Sequence, residues 1–224
     1  MAKAAKVTEA VVPLRTAPVG EVRTTITPPN LRVAEVTLRG TAPYVQHRFF
    51  KKGDIIKTQE AGSTAKSKRK HPPRNFQKDY EESLHRSTEG WFGIPASAFR
   101  NAMIDSCRLV GFKMTHAKLS IFVMPDGLDP DGYPLVRLDG TPQRHDAYAR
   151  NENGSVDIRA RPMFRVWSCK LRIRFDADQF TLEDVMNLLE RAGQQVGIGE
   201  GRPNSPNSFG LGWGTFTTVE EERA

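Results

Sequence analysis

The spacing of apolar and polar positions is most regular in the last third of the chain. Trp167, Cys169, Leu171, Ile173 and Phe175 alternate with Ser168, Lys170, Arg172 and Arg174, the period-two pattern of a strand with one face in the core and the other in water. The outward face of that strand is cationic. Leu182, Val185, Met186, Leu189 and Ala192 then return at helical spacing behind Thr181 and Asp184, which are placed as the two partners of a capping box, and Gly193 closes the predicted helix. A glycine-rich run follows, and the apolar segment 212–219 predicts a last strand. The region therefore reads as a β-α-β unit, in which a helical crossover joins parallel strands.

Upstream, the β-branched and apolar residues of 31–38 predict a strand that Gly40 and Pro43 end. Pro95 opens a segment in which Phe99, Ala102, Met103, Ser106, Cys107 and Val110 recur at helical spacing as far as Gly111. Leu119, Ile121 and Val123 alternate with Lys118, Ser120 and Phe122, predicting a strand over 118–124. Together with the C-terminal unit these elements predict an α+β, ferredoxin-like fold on an antiparallel sheet. Residues 31–224 are expected to form one domain with two insertions. The first, 45–90, is expected to be solvated, because a run such as Lys66-Ser-Lys-Arg-Lys70 cannot be buried. The second, 125–160, reads as irregular between turn signals. Residues 1–30, punctuated by Pro13, Pro18, Pro28 and Pro29, predict an extended arm.

Composition adds a partner to this picture. The 224 residues are 38% hydrophobic and 26% charged, enough for one core, and carry a net charge of +7, which favours a polyanion. The charge is clustered: Arg48, Lys51, Lys52, Lys57, Lys66, Lys68, Arg69, Lys70 and Arg74 face only Asp54 and Glu60 over the same stretch. His47, Phe49, Phe50 and Phe76 interleave with these cations, and cations with aromatics are the two ingredients of single-strand binding. Cys107 and Cys169 lie in apolar-periodic segments and are read as reduced core residues. Without a long apolar run or an apolar segment behind the N-terminus, a soluble, cytoplasmic protein with no membrane partner is expected.

The run Gly193-Gln-Gln-Val-Gly197-Ile-Gly199-Glu-Gly201-Arg202-Pro203, continued by Gly210, Gly212 and Gly214, has two readings. Exposed N–H groups beside Arg202 can cradle a phosphate, or the glycines can serve tight turns and a close approach of helix to strand. Its position after a helix is wrong for a dinucleotide site, and no GKS or GKT completes a phosphate loop. No cofactor is implied. The five histidines lack metal-ligand spacing, although His47, His71 or His145 could act as acid or base on an RNA 2′-hydroxyl. Asp126, Asp129 and Asp131 read as turn residues rather than a cation loop.

The segment from Ala192 to Pro203, with Phe209-Gly210 and Gly214-Thr-Phe216, resembles the C-terminal loop of the RAMP superfamily, and within it the backbone subunit of CRISPR effector complexes; phage and prophage proteins are similar. Val36-Thr-Leu-Arg-Gly40-Thr-Ala-Pro43 and Gly93-Ile-Pro95-Ala-Ser-Ala-Phe99-Arg100 are two further similar pieces. The resemblance implies an RRM-like core with inserted thumb and finger loops, copies of which polymerise along a guide RNA, and it carries over no cleaving residue. The expected function is sequence-tolerant binding of single-stranded RNA or DNA by a homo-oligomer or ribonucleoprotein filament. The residues expected to touch the strand are Arg48, Lys51, Lys52, Lys66, Lys68, Arg69, Lys70, Lys170, Arg172, Arg174, Gly197, Gly199, Gly201 and Arg202. The alternatives are a small metal-independent endoribonuclease and a structural or interaction protein.

Overall fold

The computed structural model describes residues 26–48, 75–150, 156–205 and 211–219. Its architecture is α+β, with four α-helices and antiparallel sheets, one of which curls into a half-barrel. The larger sheet is organised by one long strand, β8 (Val156–Asp176), which pairs with four of the other strands. Its C-terminal half lies between β1 (Leu31–Gly40) and β4 (Ile121–Met124), and β9 (Phe216–Val219) extends the sheet beyond β1. Its N-terminal half pairs with β7 (Asp139–Arg150) on one edge and with the short β2 (Tyr44–Val45) on the other. All of these pairings are antiparallel.

The predicted alternation in 167–175 is realised: Trp167, Cys169, Leu171, Ile173 and Phe175 are buried, whereas Lys170 and Arg174 are exposed. Opposite them, Ala34, Val36 and Leu38 of β1 point into the same core. Two helices cover that face, α2 (Ala96–Ser106) and α4 (Leu182–Arg191); α1 (Phe76–Glu82) and α3 (Met114–Ser120) are short. Ser106 joins the two covering helices, its hydroxyl donating to Met103 O and Leu188 O. The capping box is present, Thr181 and Asp184 each satisfying the other's backbone N–H. A T-shaped pair, Phe99 on Phe216, and Trp167 between Tyr44 and Phe216 fill the centre. Both cysteines are free thiols in this core.

Four expectations change. Residues 118–120 belong to α3, so the strand begins at Ile121 and Leu119 is 78% exposed; Arg100 reaches Lys118 O and Ile121 O and fixes that helix-to-strand switch. The fourth helix does not stop at Gly193 but continues as a π-turn, Ala192–Val196. Gly193 lies inside it against Phe216, where a Cβ would collide with the strand backbone. The insertion 45–90 is docked at its end, where α1 leads into buried Ser83, Leu84 and Ser87. Finally, 125–160 is regular: β5 (Gly127–Leu128) and β6 (Pro134–Arg137) join β3 (Gly93–Pro95) in a second sheet, and β7 forms a long hairpin with β8. A bulge between Gly140 and Pro142 sets Arg165 and Val166 against a single residue of β7, bending the long strand at its middle. Among the described residues no helix is long and apolar enough to cross a membrane.

Candidate nucleic-acid interface

Among the described residues, nothing covers the sheet face opposite the helices. Its outward positions on the two central strands are Val33, Glu35 and Thr37 on β1 and Lys170, Arg172 and Arg174 on β8, held in register as Val33 with Arg174, Glu35 with Arg172 and Thr37 with Lys170. The sequence left these cations without acidic partners, and the fold supplies some. Lys170 Nζ lies 2.6 Å from Glu35, and Arg172 Nη2 donates to Asp126 Oδ1 at 2.9 Å and to Pro125 O at 2.8 Å. Arg174 stacks on Phe122, its guanidinium 5.1 Å from the ring centroid, with Arg100 5.2 Å from the same ring. Solvated pairs of this kind contribute about 0–1 kcal/mol each, so a phosphate can take the place of the carboxylate at little cost. None of the six outward positions named is aromatic.

A second cluster forms where the hairpin meets the glycine-rich loop. Gly197, Gly199 and Gly201 all have positive φ, 70°, 79° and 78°, and Gly199 is wedged so that a Cβ would sit 2.6 Å from Val45 O. The loop N–H groups serve this packing: Gly197 N donates to Ala192 O, Ile198 N to Gly214 O and Glu200 N to Val45 O. Close approach thus accounts for these glycines within the chain. Arg202 Nη1 donates to Gly199 O at 3.1 Å, bracing the loop.

At the tip of the loop, the Glu200 carboxylate meets Arg161 Nε at 2.8 Å, His47 Nδ1 at 3.7 Å and Arg159 Nη1 at 3.9 Å. Arg159 and Arg161 share a face of β8, because alternate residues of a strand point the same way. On the neighbouring strand His145, in register with Arg161, packs edge-on against Trp213 at 5.5 Å. Burial, with Arg161 and Arg159 beside it, pulls the His47 pKa down to about 3. Burial and Arg48 do the same to His85, to about 4, whose Nδ1 is buried without a hydrogen-bond partner among the described residues. Arg48 itself pairs with Asp131 and, at 3.2 Å, with buried Asp129. Asp129 Oδ1 accepts from Asp131 N and Tyr133 N, the turn role its spacing implied.

No family model matches this chain, and no curated protein matches it. The geometry therefore has to carry the functional reading. Of the expected contact residues, Lys170, Arg172 and Arg174 share the open face, Gly197, Gly199, Gly201 and Arg202 share the loop, and Arg48 is paired with the carboxylates of Asp129 and Asp131. Lys51, Lys52, Lys66, Lys68, Arg69 and Lys70 lie outside the described residues, as do His71, Phe49 and Phe50. The sequence reading passed over Arg159, Arg161 and Glu200. Arg159 and Arg161 stand at odd positions, where the strand that follows carries its apolar residues, so they are out of phase with its pattern; the bulge at Arg165 and Val166 separates the two halves.

Proposed function

We propose that this chain binds single-stranded nucleic acid, RNA in the first instance, without regard to sequence and without chemistry of its own, on a ferredoxin-like core of the RAMP kind. The observation that carries the reading is the open sheet face: Lys170, Arg172 and Arg174 lie exposed or half-exposed in one row, with the half-exposed Phe122 ring of β4 stacked on Arg174. Cations bind the phosphate backbone and a ring stacks on bases of any identity, so together they give affinity without specificity.

The fold part of the proposal is supported by strand order. Across the sheet the order is β4, β8, β1, β9, with α2 between β1 and β4 in the chain and α4 between β8 and β9; two interleaved β-α-β units have this order. The hairpin of β7 with the first half of β8 is inserted between the second and third strands of that core, within the stretch 125–160 that, with 45–90, would supply the thumb and finger loops of the resembled subunit. Copies side by side along one strand would each offer a cationic row and a hairpin, which is the filament the resemblance implies.

Charge reversal tests the reading. Lys170→Glu with Arg174→Glu is expected to weaken binding of a labelled oligonucleotide and flatten its salt dependence by roughly 0.7 per lost phosphate contact, with the far-ultraviolet spectrum unchanged. Unaltered affinity would leave the open face without a role. Defined cleavage products from RNA incubated in EDTA would replace the proposal with the endoribonuclease reading.

A further inference from the structure

The Glu200 cluster is arranged as an anion site with its anion built in. Arg161 is fixed: its side chain is 8% exposed, and Nη1 donates to Ala160 O at 3.2 Å and Ser83 Oγ at 3.3 Å while Nε holds Glu200. Arg159, one strand repeat away on the same face, is farther from the carboxylate, at 3.9 Å. His47 turns Nδ1 toward it at 3.7 Å. Two guanidinium groups thus converge on one carboxylate, and the side chain of that carboxylate is 26% exposed, reachable from solvent. The half-buried Trp213 ring packs on Gly201, the residue after Glu200, where the Trp213 backbone N–H donates to Gly201 O, and half-buried His145 lies edge-on to that ring.

We propose that Glu200 holds the place of a phosphodiester in a phosphate subsite formed by Arg159, Arg161 and His47, so that a single strand entering between the hairpin and the glycine-rich loop displaces it. The inference rests on the single-strand reading and adds a second contact to the open face. A phosphodiester matches a carboxylate in charge and in offering paired oxygen acceptors to planar guanidinium groups. Because Glu200 is tethered, it fills the subsite whenever no strand is bound, and the strand binds against that competition. The flanking Trp213 ring is placed to stack on the adjacent base.

The sign of one substitution separates a displaceable carboxylate from a structural clamp. Glu200→Gln keeps an acceptor for Arg161 but removes the charge that the strand has to displace, and a roughly fivefold gain in affinity at low salt is expected, the weight of one partly screened ion pair. The probe is a fluorescein-labelled oligouridylate titrated against the full chain, with polyglutamate as competitor. Tighter oligonucleotide binding by E200Q is the expected result. Weaker or unchanged binding by a folded E200Q overturns the subsite, as does a gain for polyglutamate without one for the oligonucleotide. If E200Q does not fold, Arg159→Gln carries the test: a comparable loss of affinity at unchanged melting temperature supports the subsite, and wild-type affinity overturns it. Absence of any strand binding by the wild-type chain at low salt would instead overturn the reading beneath.

Discussion

Lowering the pH from about 7.5 to about 5 is expected to destabilise this protein through two histidines rather than through its carboxylates. His47 and His85 have ordinary pKa values of 6.5 when exposed and are held at about 3 and about 4 in the fold. In both cases burial is the first cause and neighbouring arginine the second. Between the folded and unfolded values the unfolded chain binds more protons, so stability rises with pH; it is fully present above 6.5 and is lost as pH falls toward the folded values. At about pH 5 the unfolded chain gains about 1.5 pH units of protonation free energy per histidine, about 2 kcal/mol each and about 4 kcal/mol together. For a chain of this size that corresponds to a fall in melting temperature on the order of 10 °C. Urea denaturation of wild type and of the His47→Gln, His85→Gln double variant at both pH values measures it. The account requires the wild type to lose stability and the double variant to lose much less. Equal losses in the two proteins would show that burial beside Arg159, Arg161 and Arg48 does not control the protonation of these groups.

Two further outcomes follow from local geometry. Gly199→Ala places a Cβ 2.6 Å from Val45 O at a φ of +79°, and is expected to cost at least about 2 kcal/mol, from left-handed strain plus the shift of β2; urea denaturation reads it. Thr181→Ala removes both hydrogen bonds of the Thr181 hydroxyl, one of them half of the capping box, and leaves Thr181 N–H bonded to Asp184; it is expected to cost about 1 kcal/mol by the same measurement, with no change in oligonucleotide binding.

How much of this was legible in the sequence depends on how one-sided each element is. The strand from Trp167 to Phe175 and the helix behind Thr181 bury one face and expose the other, so periodicity alone located them. The hairpin was missed because β7 gives no such signal: along 141–148 exposed and half-exposed positions interchange with no fully buried residue, and Thr-Pro-Gln-Arg-His-Asp-Ala-Tyr shows no apolar alternation to read. Leu119 misled in the other direction, an exposed leucine that completed an apparent strand pattern inside a helix. At the site, the cationic face of β8 was visible as a row of lysine and arginine, whereas the Glu200 cluster assembles from residues far apart in the chain, 47, 159, 161 and 200. Only the fold brings those together.

The account turns on whether the chain grips a single strand by its phosphates. The most direct measurement is the anisotropy of labelled single-stranded RNA oligomers of unrelated sequence, titrated with the purified protein over a series of salt concentrations. The account predicts similar affinity for every sequence and a log–log salt slope corresponding to several phosphate contacts, about 0.7 for each. No binding at the lowest salt, or an affinity that salt leaves unchanged, would contradict it.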